Sequence, residues 1–237
     1  MSGAELALRF IAVIVSAYLL GSIPSGVLVG KLFDADPREV GSGKTGLTNV
    51  LRSMGPRAAA MVFVLDFLKG AVAVLLARFL WFPATILPLV GPLTPSGVAV
   101  TSHWQATAEA LAGITVILGH TFSVFIDFKG GRGVLTGGAV VVVISPIGAL
   151  AGLAVFLGTI FVTRYVSLGS ILGILTVALA QIILYVTGHA QLPHLIFVVV
   201  GAVAIVAMHH DNINRLLNGT ERKLGDNTSP QPNVSPS

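Results

Sequence analysis

Long apolar runs alternate with short polar connections along this chain. The runs fall at about 7–30, 57–80, 107–126, 134–163, 168–187 and 194–208. Most approach the roughly 20 residues that an α-helix needs to cross a hydrocarbon core. Lipid offers backbone amides no partner, so such runs must be helical. The run 134–163 is long for one crossing and short for two, and "ISPIG" at 144–148 interrupts it. The pattern predicts an all-α, polytopic integral membrane protein.

Charge decides the number of crossings. Lys31, Arg38, Lys44, Arg52 and Arg57 follow the first run, Lys129 and Arg132 the third, and Arg164 the run 134–163; Arg215, Arg222 and Lys223 close the chain. The connections 83–105, 144–148 and 188–193 hold no Lys or Arg. Cytoplasmic connections carry the excess of cations. All the basic clusters share that side only if 134–163 crosses twice, turning at Ser145 and Pro146. This predicts seven transmembrane helices, with the N-terminus outside and the C-terminus cytoplasmic. Each half of 134–163 would then span roughly 22 Å at helical rise, which implies local thinning.

The first run has one early cation, Arg9, and continues past signal-peptide length, so it reads as a retained span. Residues 83–105, rich in Pro, Gly and Thr, read as an outside loop. Residues 225–237, "GDNTSPQPNVSPS", read as a disordered cytoplasmic tail behind a membrane domain of residues 1–224. No internal repeat supports an inverted-repeat transporter.

Composition agrees. Of 237 residues, 54% are apolar and 10% charged, with a mean hydropathy of +0.89. A soluble domain carries about a quarter charged residues. The absence of cysteine excludes a disulfide framework and any Cys-based metal or redox site.

The candidate chemistry sits in the basic connections. "VGSGKTGLTN" at 40–49 imitates the phosphate loop of an ATPase, which needs Gly, four residues, then Gly-Lys-Ser/Thr. Aligned on Gly43, Lys44 and Thr45, the first position is Arg38, and a membrane span stands where the motif needs a strand. No nucleotide site follows. The local physics survives: Gly41, Gly43 and Gly46 allow unusual backbone conformations, and successive amides can then form an anion-binding concavity. Ser42, Thr45, Thr48 and Asn49 add neutral donors; Lys44 and Arg52 add charge. Lys31, Arg38 and Arg57 read only as topology cations.

A second loop, "FKGGRGV" at 128–134, again joins glycines 130, 131 and 133 to cations, Lys129 and Arg132, just before a helix N-terminus. Two such loops on one face suggest one molecule with two phosphates, or two phosphorylated substrates. A third segment, "HHDNINRLLNGTERK" at 209–223, would put His209, Asn212 and Arg215 on one face of a continuing helix. No Cys or clustered carboxylate accompanies the histidines, which argues against a metal. Asp66 and Lys69, at i,i+3 inside the second span, read as a structural pair. His120 reads as a hydrogen-bonded anchor.

In order along residues 15–223, these pieces resemble the bacterial acyl-phosphate-dependent glycerol-3-phosphate acyltransferases. The resemblance includes "YLLGSIPSG" (18–26), "VGSGKTGLTNVLRSMG" (40–55), "LDFLKG" (65–70), "GH" (119–120), "FKGGRGV" (128–134) and "RYVSLGSI" (164–171). It ends in His209, Asn212, Arg215, Gly219 and Glu221 at the family's spacing. It implies a seven-span enzyme of the bacterial inner membrane with its active site facing the cytoplasm. That enzyme joins an acyl group from acyl phosphate to glycerol 3-phosphate, giving lysophosphatidic acid and phosphate.

By motif match, Ser42 and Arg52 carry the first motif's essential roles. Lys129 with Gly130, Gly131 and Gly133 forms the phosphate-binding second motif. His209 and Asn212 are functional positions of the third, and Glu221 is its structural acid. Catalysis is therefore expected from Ser42, Arg52, Lys129, His209 and Asn212. Phosphate binding is expected from Gly41, Gly43, Thr48, Asn49, Gly130, Gly131, Arg132, Gly133 and Arg215.

Lys44 and Leu47 depart from the family's Asn and Ala, and Arg132 replaces the commoner Lys. An activated acyl donor needs no cofactor, metal, nucleotide or nucleic acid. The expected partners are the two substrates and the bilayer, and the expected state is a monomer. The proton acceptor stays open between His209, a substrate phosphate and water. The other function class that fits the cations is a membrane transporter of a phosphorylated metabolite.

Overall fold

A computed structural model of the chain describes residues 2–82 and 103–226. Among these residues every regular element is helical. They are α1 (Gly3–Ser22), α2 (Ser25–Leu32), α3 (Leu47–Leu76) with a π-helical extension at Ala77–Trp81, α4 (His103–Thr121) followed by a 3-10 turn at Val124–Ile126, α5 (Val134–Ile144), α6 (Pro146–Thr163), α7 (Val166–Val186), α8 (Leu192–Met208) and α9 (His210–Leu217).

The breaks have local causes. Proline has no N–H to continue a helix and is at home in a first turn. Pro24 separates α1 from α2, and Pro146 opens α6 after Ser145 leaves helical geometry. In α3, Gly55 takes φ +82°, so a short amphipathic segment from Leu47 meets the long apolar one at Gly55 and Pro56. Periodicity began that span at 57; the structure carries helix back to Leu47. It also begins α4 at His103 and buries Gln105. Residues 103–105 therefore belong to a helix, not to the expected outside loop, whose remaining residues 83–102 lie outside the described ones. Of the expected tail, residues 227–237 also lie outside them, while the Asp226 carboxylate accepts the Lys223 amide at 2.7 Å.

Five helical segments are long and apolar enough to cross a membrane: 3–32, 47–81, 103–126, 146–163 and 166–186. α8 and α9, bent by 56°, make a sixth when taken together as one span. The run 134–163 breaks at Ser145 and Pro146 as expected, but unequally. α5 has 11 residues and α6 has 18. At about 16 Å, α5 alone falls short of the roughly 30 Å hydrocarbon core.

The core is built mainly from Ala and Val of α1, α3, α4, α5 and α8, with Phe197 of α8 fully buried among them. Small residues let helices approach closely where apolar transfer no longer drives association. A Cβ on Gly21 would lie 2.2 Å from Val116 O of α4. One on Gly152 of α6 would lie 2.4 Å from Val177 Cγ2 of α7. Large side chains such as Leu8, Ile11, Leu150, Phe161 and Val162 face outward, as a lipid-exposed surface requires.

Buried charges are paired, since an isolated one would be prohibitively costly. Lys69 Nζ lies 2.8 Å from Asp66 Oδ1 and donates to Ile23 O at 3.0 Å, tying α3 to the break between α1 and α2. A second group went unseen in the sequence. Glu109 of α4 accepts from Arg78 Nε at 2.8 Å and lies 3.0 Å from His194 Nε2 of α8.

Candidate functional site

The polar loops converge on one end of the bundle. Arg52 Nη2 donates to Arg222 O (3.1 Å), Arg132 Nε to Met208 O (3.2 Å), and Arg164 Nε and Nη2 to Leu224 O (3.0 and 2.6 Å). A cavity of about 700 Å³ opens there. Its polar end is lined by Ser42, Thr48, Arg52, Arg132, His209 and Asn212, and its other walls are mostly apolar faces of α3, α5, α6 and α7 reaching Pro146.

The first loop is organised by Asn49, at the start of α3. Its Nδ2 donates to Pro37 O (2.7 Å), Val40 O (3.0 Å) and Lys44 O (2.9 Å), and its Oδ1 accepts from the Ser42 amide (3.0 Å). Gly41 and Gly43 take φ +66° and +65°, which lets the chain wrap around this one side chain. Asn49 was expected to hold a substrate phosphate. Its amide is instead taken up inside the loop, as is the Ser42 N–H. Asn49 still borders the cavity, but the polar groups the loop adds there come from Ser42, Lys44, Thr48 and Arg52. Arg38, read as a topology cation, pairs with Asp36 at 2.6 Å outside the cavity.

The second loop departs further from expectation. The Gly130 amide donates to Thr121 O (2.9 Å) and the Gly131 amide to His120 O (3.1 Å). A Cβ on Gly130 would lie 2.0 Å from His120 O, and one on Gly131 2.1 Å from His120 Nε2. These glycines pack the loop against His120; their amides are not the anion cradle that spacing suggested. Lys129, expected to be catalytic, is exposed and stands outside the cavity lining. The loop's cation in the cavity is Arg132, joined by Gly133 and the start of α5. The first-turn amides of α5 have no intrahelical partner and favour an anion. Burial above all lowers the Arg132 guanidinium from its usual range; Arg215 and Arg52 add to that, and Glu221 and Asp211 oppose it. His120 also approaches Asp66 Oδ1 (3.7 Å) and Thr136 Oγ1 (3.4 Å), consistent with an anchor.

The third segment is bent rather than continuous. His209 sits at the bend between α8 and α9, and Asn212 and Arg215 follow on α9. All three line the cavity. His209 is buried, and its Nδ1–H donates to the Ile205 carbonyl at 2.7 Å. That bond defines the tautomer of a neutral ring and leaves Nε2 as an acceptor. Glu221 gathers Ser167 Oγ, Asn212 Nδ2 and Arg215 Nε, each at 2.7 Å. Burial works against its charge, but those three donors outweigh it and hold the carboxyl below the usual glutamate range. Asn212 Oδ1 is buried without a hydrogen-bond partner. Ser167 was missed as an individual residue, although "RYVSLGSI" carried it. Its neighbour Arg164 forms a reciprocal pair with Leu224, whose amide donates to Arg164 O at 2.7 Å, pinning the segment that bears Glu221. Among the described residues, no three of His, Cys, Asp and Glu gather to hold a metal ion.

The family profile of glycerol-3-phosphate acyltransferases matches residues 11–219. The glycerol-3-phosphate acyltransferase of Trichormus variabilis is 41% identical over 215 residues, covering 90% of this chain and 91% of that one. That of Trichlorobacter lovleyi is 39% identical over 211 residues, covering 89% and 95%. Among solved structures, PlsY (YgiH), an integral membrane glycerol 3-phosphate acyltransferase, superposes in its glycerol 3-phosphate form with a TM-score of 0.74 at 36% identity. That match covers 91% of this chain and 96% of that chain. Its lysophosphatidic acid form gives 0.72 at 35% identity, covering 91% and 95%. The ordered loops, the helical architecture and these likenesses agree, and the chain belongs to the glycerol-3-phosphate acyltransferase family.

Proposed function

We propose that this protein transfers a fatty acyl group from acyl phosphate to the 1-hydroxyl of glycerol 3-phosphate, releasing lysophosphatidic acid and phosphate. One observation carries the reading: a single cavity has a cationic end continuous with an apolar groove between membrane helices. A donor with a phosphate head and a hydrocarbon tail fits that shape. The cations and the hydroxyls of Ser42 and Thr48 then hold the two anionic groups side by side. Holding reactants in place and stabilising charge as it develops are the terms such a reaction needs, because the donor is already activated.

The hydroxyl oxygen of glycerol 3-phosphate attacks the acyl carbon, the bond from that carbon to the phosphate oxygen breaks, and phosphate leaves. The hydroxyl proton goes to His209 Nε2, the ring nitrogen left as acceptor by the bond to Ile205. Arg132 and the α5 N-terminus face the leaving phosphate. Ser42 and Arg52 orient the acceptor's phosphate. Asn49 and Glu221 are positioning residues, and Lys129 serves outside the cavity.

The positive-inside distribution supports seven crossings, with α5 counted as one, and a site on the cytoplasmic face of the bacterial inner membrane. The transporter reading fits less well: along the walls of the groove Asp66, His120, Ser167 and Ser170 stand among apolar side chains, too few polar groups to make a path for a phosphorylated solute.

The experiment is direct. Purified protein given acyl phosphate and glycerol 3-phosphate, without magnesium, nucleotide or acyl-CoA, should form lysophosphatidic acid and phosphate. Strict dependence on acyl-CoA or ATP would overturn the reading.

A further inference from the structure

We propose that Gly138 sets the bore of the acyl groove and so selects which acyl donors this enzyme accepts. The proposal rests on the acyltransferase reading above. α5 turns Val134, Leu135, Gly138, Val141 and Val142 to the cavity. Those positions form one helical face, and Gly138 is at its centre.

Nothing else in the fold asks for glycine there. Gly133 has φ +77°, which favours glycine. At Gly137 a Cβ would lie 3.1 Å from Ile117 Cδ1, so helix packing limits its size. At Gly138 the backbone is helical, and an added Cβ would meet nothing within 4 Å. Glycine is the least favourable helix residue after proline, and α5 is a short helix rich in β-branched valine. Gly138 lines the groove, as do Phe63 and Phe67 of α3.

The occupant is the hydrocarbon chain of the donor, because the cavity that holds Arg132 and His209 is otherwise lined mostly by apolar side chains, Leu135, Leu150, Leu153, Phe156 and Ile174 among them. Gly138 lies five residues beyond Gly133, about 7.5 Å along the helix axis. It therefore faces methylenes several carbons from the reacting carbonyl, not the carbonyl itself. A side chain there obstructs long donors and leaves short ones alone.

The test measures kcat/KM of the full-length protein with butyryl and with palmitoyl phosphate, for wild type, Gly138→Ala and Gly138→Leu. A changed fit in an apolar pocket is worth roughly ten- to two-hundredfold in discrimination. Gly138→Leu should lower the palmitoyl-to-butyryl ratio of kcat/KM by at least about tenfold, with the KM for glycerol 3-phosphate unchanged. Gly138→Ala should move the ratio the same way by less, and raise thermal stability, since alanine favours the helix. Gly158→Leu on α6, equally open around its Cβ but outside the cavity lining, should leave the ratio unchanged.

An unaltered ratio in Gly138→Leu, or an equal loss with both donors, overturns the proposal. Failure of the wild type to form lysophosphatidic acid from either donor overturns the acyltransferase reading instead.

Discussion

Asn212 Nδ2 donates to Glu221 Oε1 at 2.7 Å, while the oxygen of the same amide is buried with no partner. The bond determines which end of the amide is presented, so Asn212 offers the cavity an acceptor suited to a hydroxyl donor. Leaving a buried polar group unsatisfied costs about 1–3 kcal/mol. Asn212→Ala should lower kcat/KM for glycerol 3-phosphate roughly ten- to hundredfold. Glu221→Gln lets the amide turn and should fall in the same direction. The double variant should be less than additive, because the two act as one unit. Additive losses in a double-mutant cycle would refute the coupling.

The same carboxyl predicts an acid limb. Its folded pKa is depressed, so its stabilising contribution is present above the unfolded glutamate range and is lost as pH falls through the folded value. Site integrity, read from glycerol 3-phosphate binding, should persist through the ordinary glutamate range near ~4.3 and fail below it. Glu221→Gln should lack that limb.

Asn49 organises the first loop through both ends of its side-chain amide. Asn49→Asp keeps the acceptor for the Ser42 amide but loses the donations to three carbonyls. It should destabilise the protein by about 1–3 kcal/mol in thermal unfolding. Ser42→Ala should reduce turnover while leaving the melting temperature unchanged. A wild-type melting temperature in Asn49→Asp would count against the organising role.

The second loop separates its two cations. Removing a donor aimed at developing charge costs about 10²–10³ in kcat. Arg132→Ala should show a loss of that order, whereas Lys129→Ala should stay within about a few-fold of wild type, as an exposed cation outside the cavity would. The reverse order in steady-state kinetics would reinstate Lys129 as the catalytic cation.

A chain without cysteine permits a clean topology test. Single cysteines at the exposed positions Asp127 and Ile147 flank α5 on either side. Asp127→Cys should react with an impermeant maleimide only from the cytoplasmic side and Ile147→Cys only from the outer side. Labelling of both from one side would show that α5 does not cross.

The sequence by itself determined the helical class, the membrane habitat, the break at Ser145 and Pro146 and the three loops that carry the chemistry. These follow from apolar run length, proline's missing N–H and the clustering of small polar and basic residues, all local properties of the chain. Tertiary structure decided how each loop group is used. It turned Asn49 inward, committed the Gly130 and Gly131 amides to Thr121 and His120, and brought Arg132 rather than Lys129 to the cavity. It also brought Arg78 together with the buried Glu109 and His194 as one group. The reason is physical: a donor's partner is chosen by three-dimensional proximity, and Arg52 finds its carbonyl on Arg222, 170 residues away. Spacing along the chain carries no record of that choice, nor of the open space beside Gly138.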